Sequence, residues 1–227
     1  MIELRDVTVS YKLPTGMRRS VLENLSLRIN QGELVYLIGQ TGSGKSTLLR
    51  MLYMDMLPDQ GTTRVGDYRS DMIKPKDIPY LRRQLGVVFQ DFQLLPDRTV
   101  FENVAFALHA TGKRGNAVRT RTMQVLARVG LSHKSRRYPH EISGGEQQRV
   151  SVARAIVNEP WVLLADEPTG NLDPRVADEI HKLLISLHRQ GMTVLMATHD
   201  YRLVKRYPAR TLALMNSQIV EVQAQTL

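Results

Sequence analysis

The sequence predicts an α/β chain. Its core is a mostly parallel sheet, with an N-terminal antiparallel β subdomain and an inserted helical subdomain. Three observations predict it. Apolar runs of strand length, ELVYLI, LGVVF, WVLLAD and TVLMAT, occur along a chain that also carries helical stretches; strands buried on both faces of a parallel sheet read this way. The first thirty residues alternate instead, with Val7, Val9 and Tyr11, then Leu25, Leu27 and Ile29. That period marks antiparallel strands with one face covered. From about Asp91 to Asn158 apolar residues recur at three- and four-residue spacing, the helical period.

In order along the chain, the first two strands are joined by the loop LPTGMRR, residues 13–19. Gln31-Gly32 is a turn. ELVYLI then runs straight into a glycine-rich turn and a helix with Leu48, Leu49 and Leu52 inward. LGVVF (Leu85 to Phe89) is a short buried strand, and the helical stretch follows. WVLLAD and TVLMAT are strands separated by the helix PRVADEIHKLLISLHRQG. TLALMNSQIVEV is a hairpin turning at Asn216-Ser217. Together 1–227 make one domain: 1–90 and 159–227 form the α/β core with its antiparallel β subdomain, and 91–158 form the helical subdomain.

Composition narrows the function. There is no cysteine among 227 residues, so a disulfide framework and thiolate metal sites are excluded. The N-terminus MIELRDVTV has no apolar signal core, and no apolar run approaches the roughly 18 residues of a membrane span. A soluble or peripheral chain is expected. The net charge is +9 and the pI about 10.0, which favours an anionic partner: nucleic acid, lipid headgroups or phosphate ligands. Between Asn103 and His140 there is no Asp or Glu, yet eight Lys and Arg. Arg114, Arg121 and Arg128 are spaced by seven, which predicts a basic stripe on one helix face beside Val118, Val125 and Val129. Such a stripe suits an anionic membrane surface.

GQTGSGKS, Gly39 to Ser46, matches G-x-x-x-x-G-K-[ST] between a strand and a helix, the context of a phosphate-binding P-loop. Gly39, Gly42 and Gly44 allow the tight turn that aims N–H groups at a β-phosphate. The helix N-terminus adds partial positive charge. Lys45 is placed for the β- and γ-oxygens, and the Ser46 hydroxyl is a hard ligand for Mg²⁺. VLLADE, Val162 to Glu167, is an apolar strand ending in two acids. Asp166 suits Mg²⁺, directly or through water, and Glu167 suits the general base on an attacking water. Gln90 and His199 each follow a strand; the residues alone leave them open between a γ-phosphate or metal contact and an exposed strand end.

A second glycine turn, ISGGEQQRV (Ile142 to Val150), opens an amphipathic helix but has no lysine. The order Tyr11, GQTGSGKST, Gln90, SGGEQQ, VLLADE, NLD and His199 resembles the nucleotide-binding subunits of ABC ATPases over nearly the whole chain. The resemblance implies a P-loop NTPase core of ABC type and Mg²⁺-dependent hydrolysis of ATP to ADP and phosphate. It also implies that the second turn, the family's signature, caps the γ-phosphate of ATP held by a partner subunit, through Ser143, Gly144, Gly145 and Glu146. Two ATP molecules are then sandwiched head to tail in a homodimer. Tyr11 stacks on adenine; Gly39, Gln40, Thr41, Gly42, Ser43, Gly44, Lys45, Ser46 and Thr47 cradle the phosphates. Gln90 joins Mg²⁺ and water to the helical subdomain, Asp166 and Ser46 serve the metal, Glu167 is the base and His199 contacts the γ-phosphate. Asn171, Leu172 and Asp173 line the dimer seam.

Within that family, LRRQLGVVFQDFQLLPDRTVFENVA and GGEQQRVSVARAIVNEPWVLLADEPTGNLD are similar to the bacterial cell-division ATPases of FtsE type. Those work with an integral membrane protein of FtsX type to control peptidoglycan hydrolysis, which implies a peripheral place on the cytoplasmic side of the inner membrane. The lipoprotein-releasing and macrolide-type exporter ATPases, which share LADEPTGNLD, are the alternative. The segment after Gln90, with Phe92, Leu94, Leu95 and Pro96, is expected to face the membrane partner. An ABC ATPase acting on nucleic acid is disfavoured, because neither a second cassette, nor a coiled-coil insertion, nor an RNA-binding signature is present.

Overall fold

The computed structural model describes residues 1–12 and 16–224. The strands and helices in chain order are β1 Ile2–Lys12, β2 Arg18–Ile29, β3 Leu34–Ile38, α1 Lys45–Leu52, β4 Gln60–Val65, β5 Tyr68–Arg69, α2 Ile78–Arg83, β6 Leu85–Val88, α3 Val100–Ala110, α4 Asn116–Arg128, α5 Gly144–Ile156, β7 Val162–Asp166, α6 Pro174–Arg189, β8 Thr193–Thr198, α7 Tyr201–Arg206, β9 Arg210–Met215 and β10 Gln218–Val222. The chain divides into two compact units, residues 1–82 with 193–227, and residues 83–192.

In the first unit β2-β1-β4-β5 form an antiparallel sheet. Strict alternation would not bury both ends of β1, because Leu4 and Val7 are three apart. The register shifts between them, where Asp6 takes φ +49°, and Asn24 does the same in β2 at φ +48°. Each extra residue restores the phase, so Ile2, Leu4, Val7 and Val9 are all buried, opposite Leu22, Leu25 and Ile29. Arg18 and Arg19, expected in the connecting loop, are the first residues of β2, while Leu13 to Thr15 lie outside the described residues. The β4–β5 hairpin was not legible in the sequence: GTTRVGDYR is short and polar, and pairing with β1 is what makes it a strand.

The same unit holds β10-β9-β3-β8. β3 runs parallel to β8 and β9, with Ile38 opposite Thr198 and Ala213. The carboxyl ends of β3 and β8 therefore leave the sheet together, and these ends carry Gly39 and His199. β9 and β10 form the expected hairpin, with Met215 opposite Gln218 and positive φ at Asn216 and Ser217, the requirement of a two-residue turn matching strand twist.

In the second unit β6 and β7 are parallel, with Val88 opposite Ala165. Phe89-Gln90 and Asp166-Glu167 thus emerge side by side. α3, α4 and α5 pack on one another, and their residues Val104, Leu108, Val118, Val125, Val150 and Ile156 are all buried. The predicted basic stripe is corrected here. Arg114 precedes α4, because Gly115 at its N-cap has φ +70° and starts the helix one residue later. Arg121 donates to the Val157 carbonyl at 3.0 Å and pairs with Glu159 at 3.2 Å, and Arg128 donates to Gln190. Val118, Val125 and Val129, read as the apolar face beside that stripe, are buried in the core and so are not offered to a membrane surface. Among the described residues no helix is long and apolar enough to cross a membrane.

Candidate functional site: two glycine turns and their strand ends

The P-loop follows β3 directly, and its glycines are required by geometry. A Cβ on Gly39 would lie 2.6 Å from Ser43 Oγ and 2.7 Å from the Leu214 carbonyl; Gly42 and Gly44 have φ +80° and +108°. Lys45 is buried at the start of α1, and its Nζ donates to the carbonyls of Gly39 at 2.8 Å and Gln40 at 3.1 Å. The ammonium is thus held over the turn by that turn's own carbonyls. Ser46 is exposed on the first turn of α1, whereas Thr47 is buried and its hydroxyl lies 3.2 Å from Tyr11 Oη. Tyr11 keeps 38% of its surface exposed, unusual for an aromatic on a strand and suited to a stacking platform. Tyr11, Val21, Gly39 to Ser43 and Tyr201 line a cleft of about 1020 Å³, the size class of a small-molecule site. His199 is exposed just beyond β8.

The second unit gathers the other predicted residues. Asp166 ends β7 half-buried, and Glu167 turns off the strand with φ +45°. Gln90 and Asn171 exchange contacts: Asn171 Nδ2 donates to the Gln90 carbonyl at 3.2 Å, and Gln90 Nε2 lies 3.5 Å from Asn171 Oδ1. Asp173 caps α6, its Oδ1 accepting from the amides of Arg175 and Val176 at 3.1 Å. Its carboxylate therefore already serves the helix N-terminus.

Ser143 is the N-cap of α5 and forms a capping box with Glu146. Only the amides the box leaves over, together with the helix dipole, remain for an anion. Glu146 also pairs with Lys134, whose hydrogen bond holds the carboxyl below the usual range. The turn is closely seated: a Cβ on Gly145 would lie 2.3 Å from Val176 Cγ1.

The donor chemistry fits Mg²⁺. The Asp166 carboxylate and Gln90 amide oxygen of the second unit, and the Ser46 hydroxyl of the first, are each hard oxygen donors of the type that cation takes.

A family model described as ABC transporter matches residues 22–170. The chain belongs to this family. It is 47% identical over 220 residues, 97% of this chain and 94% of the relative, to the cell division ATP-binding protein FtsE of Streptococcus pneumoniae serotype 2. It is 48% identical over 220 residues, again 97% and 94%, to the protein of that name from Mycobacterium tuberculosis. A dimeric post-hydrolysis structure of the ATP-binding cassette MJ0796 bound to ADP and Pi superposes with a TM-score of 0.88, at 31% identity and 99% of both chains. The family's chemistry, ATP hydrolysis, is therefore this chain's chemistry.

Sequence reasoning missed Gln148 and Arg154. Both lie on α5, Gln148 with 0% exposure. The available signal was a polar residue on the apolar face of a helix, three positions after Gly145 and four before Val152.

Proposed function

We propose that this chain is the ATP-hydrolysing subunit of a cell-division complex of the FtsE–FtsX type. The observation that carries this reading is the near full-length similarity to relatives named as cell-division ATP-binding proteins. The exposed Tyr11 takes the adenine, and Gly39 to Thr47 with Lys45 take the phosphates. Glu167 accepts a proton from water as its oxygen attacks the γ-phosphorus, the bond to the bridging oxygen breaks, and ADP and phosphate leave. Asp166, Ser46 and Gln90 would hold Mg²⁺, which neutralises phosphate charge when bound. His199 contacts the γ-phosphate. Residues 91–158 act as the helical subdomain. Ser143 to Glu146, with Asn171 to Asp173, meet the ATP of a second copy of the chain.

The reading places the protein peripherally on the cytoplasmic side of the inner membrane, against an integral partner of FtsX type. Phe92, Leu94 and Leu95 are half-buried and Pro96 is exposed, so the segment offers that partner a partly apolar face. An anionic membrane surface is the further partner. With the helix stripe set aside, the cations for it are Lys113, Arg114, Arg119 and Arg136, all exposed and in no ion pair among the described residues.

The test is a Glu167→Gln chain with Mg-ATP. It should bind ATP, hydrolyse it at least about 100-fold more slowly, and run as a dimer in sizing at micromolar protein. Cysteines at Ser43 and Ser143 should crosslink between chains only with ATP; a crosslink confined within one chain refutes the head-to-tail arrangement.

A further inference from the structure

The helix α5 begins at the signature turn, and two of its polar side chains, the buried Gln148 and the half-buried Arg154, reach back to the chain's own hydrolytic loops. Gln148 Nε2 donates to the carbonyl of Pro168 at 2.6 Å and lies 3.4 Å from that of Phe89. Pro168 follows Glu167 directly, and Phe89 precedes Gln90. Two turns further along the helix, Arg154 donates to the carbonyls of Gln93 at 2.6 Å and Phe92 at 2.9 Å. Phe92 and Gln93 both have positive φ, +59° and +47°, a strained pair that needs outside support to persist. The guanidinium has no carboxylate partner among the described residues; burial lowers its pKa. One helix therefore grips the Gln90 loop on both flanks and the loop after Glu167. Asn171 closes the ring by bonding to Gln90. At the N-terminus of α5, Phe92 and Leu172 approach Gly144 to within 3.8 and 3.6 Å of a Cβ built there.

A buried glutamine and a half-buried arginine spent on backbone carbonyls are a costly way to fill such positions. A leucine or methionine would pack there without desolvating charge or amide. What the polar pair adds is a fixed position of α5 relative to Gln90 and Glu167. We propose that Gln148 and Arg154 are positioning residues that make α5 a lever. Phosphate docking at the signature turn then sets the hydrolytic groups of the same chain, and the two ATP sites of the sandwich are coupled through it. The proposal rests on the reading that the signature meets the partner copy's ATP.

The experiment uses the full chain. Gln148→Met keeps the volume and removes the donors; Arg154→Lys keeps the charge but not the fork that reaches two carbonyls. Val150→Ala, a truncation of a fully buried residue of α5, is the stability control. Binding of a fluorescent ATP analogue by Gln148→Met should stay within about 3-fold of wild type, while kcat falls by about 10- to 100-fold, the effect of a misplaced base rather than a lost binding site. Arg154→Lys should show a smaller loss of the same kind. Val150→Ala, with an equal or larger drop in Tm, should keep kcat within about 2-fold. Combined with Glu167→Gln, Gln148→Met should still dimerise with ATP. An unchanged kcat in Gln148→Met, or a loss no greater than that of Val150→Ala at matched Tm, overturns the lever. If Gln148→Met fails to fold, Arg154→Lys is judged by the same criteria. A Glu167→Gln chain that stays monomeric with ATP overturns the sandwich, and the lever with it; a trapped dimer with unchanged kcat in Gln148→Met overturns the lever alone.

Discussion

Gly145→Ala tests how closely the signature turn must be seated. The added Cβ would lie 2.3 Å from Val176 Cγ1, whereas ordinary contact begins near 3.4 Å, so the gap must open by about 1 Å. Val176 is β-branched and sits in the first turn of α6, where one χ1 rotamer dominates. Its methyl has no easy way aside, and the N-terminus of α5 moves instead. Overpacking of this size costs about 1–3 kcal/mol, and each kcal/mol lowers Tm by about 2–4 °C in a chain of this length. The loss of activity should be larger than the loss of stability suggests. A 1 Å displacement of a group proposed to meet a phosphate costs on the order of 100-fold in rate, while the P-loop is untouched. The assay is thermal unfolding, ATP-analogue binding and steady-state ATPase on Gly145→Ala, Val176→Ala and the double variant. Val176→Ala removes the clashing methyl, so the double variant should recover most of the activity, with a coupling of at least about 1 kcal/mol. Wild-type turnover in Gly145→Ala, or no recovery in the double variant, refutes the reasoning.

Glu146→Gln keeps the capping box, since glutamine serves at that position, but loses the ion pair with Lys134. The folded-state pKa of Glu146 is depressed, so the pair's contribution is complete above the unfolded value near 4.3 and disappears as pH falls through the lower folded value. Wild type should exceed Glu146→Gln by under about 1 kcal/mol at pH 7 and lose that margin as acid protonates the carboxylate; a margin that does not shrink as pH falls points to another cause. Leu94→Asp with Leu95→Asp should spare ATP binding and abolish recovery with membranes from its own cells; joint loss of folding would make these residues core. Lys113, Arg114, Arg119 and Arg136 changed together to Gln should weaken co-sedimentation with anionic vesicles, each cation contributing about 1 kcal/mol, and salt should do the same to wild type. Equal binding to neutral vesicles would remove the lipid role, and salt-resistant binding to duplex DNA would redirect it.

Several features were legible because a few adjacent residues decide them. Gly39 to Ser46 turns from β3 into α1 with its own backbone, and Ser143 with Glu146 closes a capping box across one helical turn. Asn216 and Ser217 accept positive φ between two strands that pair at once. Other features depend on distant segments. Asp6 and Asn24 bulge because β1 and β2 must share one register, and a bulge has no local marker beyond a broken alternation. The seven-residue spacing of Arg114, Arg121 and Arg128 assumed a continuous helix; Gly115 ended that assumption, and Glu159 and Gln190 took up the other two side chains.

By itself, then, the sequence determined the α/β class, the phosphate-binding turn, the acidic strand end and the lysine-free second turn, because contiguous backbone geometry and residue chemistry suffice for each. Only the tertiary structure decided what the second turn is fastened to. Gln148 reads only as a polar residue misplaced on the apolar face of its helix, with no partner named, until β6 and β7 pair and bring the carbonyls of Phe89 and Pro168 to its amide. Those carbonyls lie 59 and 20 residues away along the chain. A hydrogen bond of that span leaves no periodicity in the sequence, since what sets it is the register of two strands and not the spacing of side chains on one.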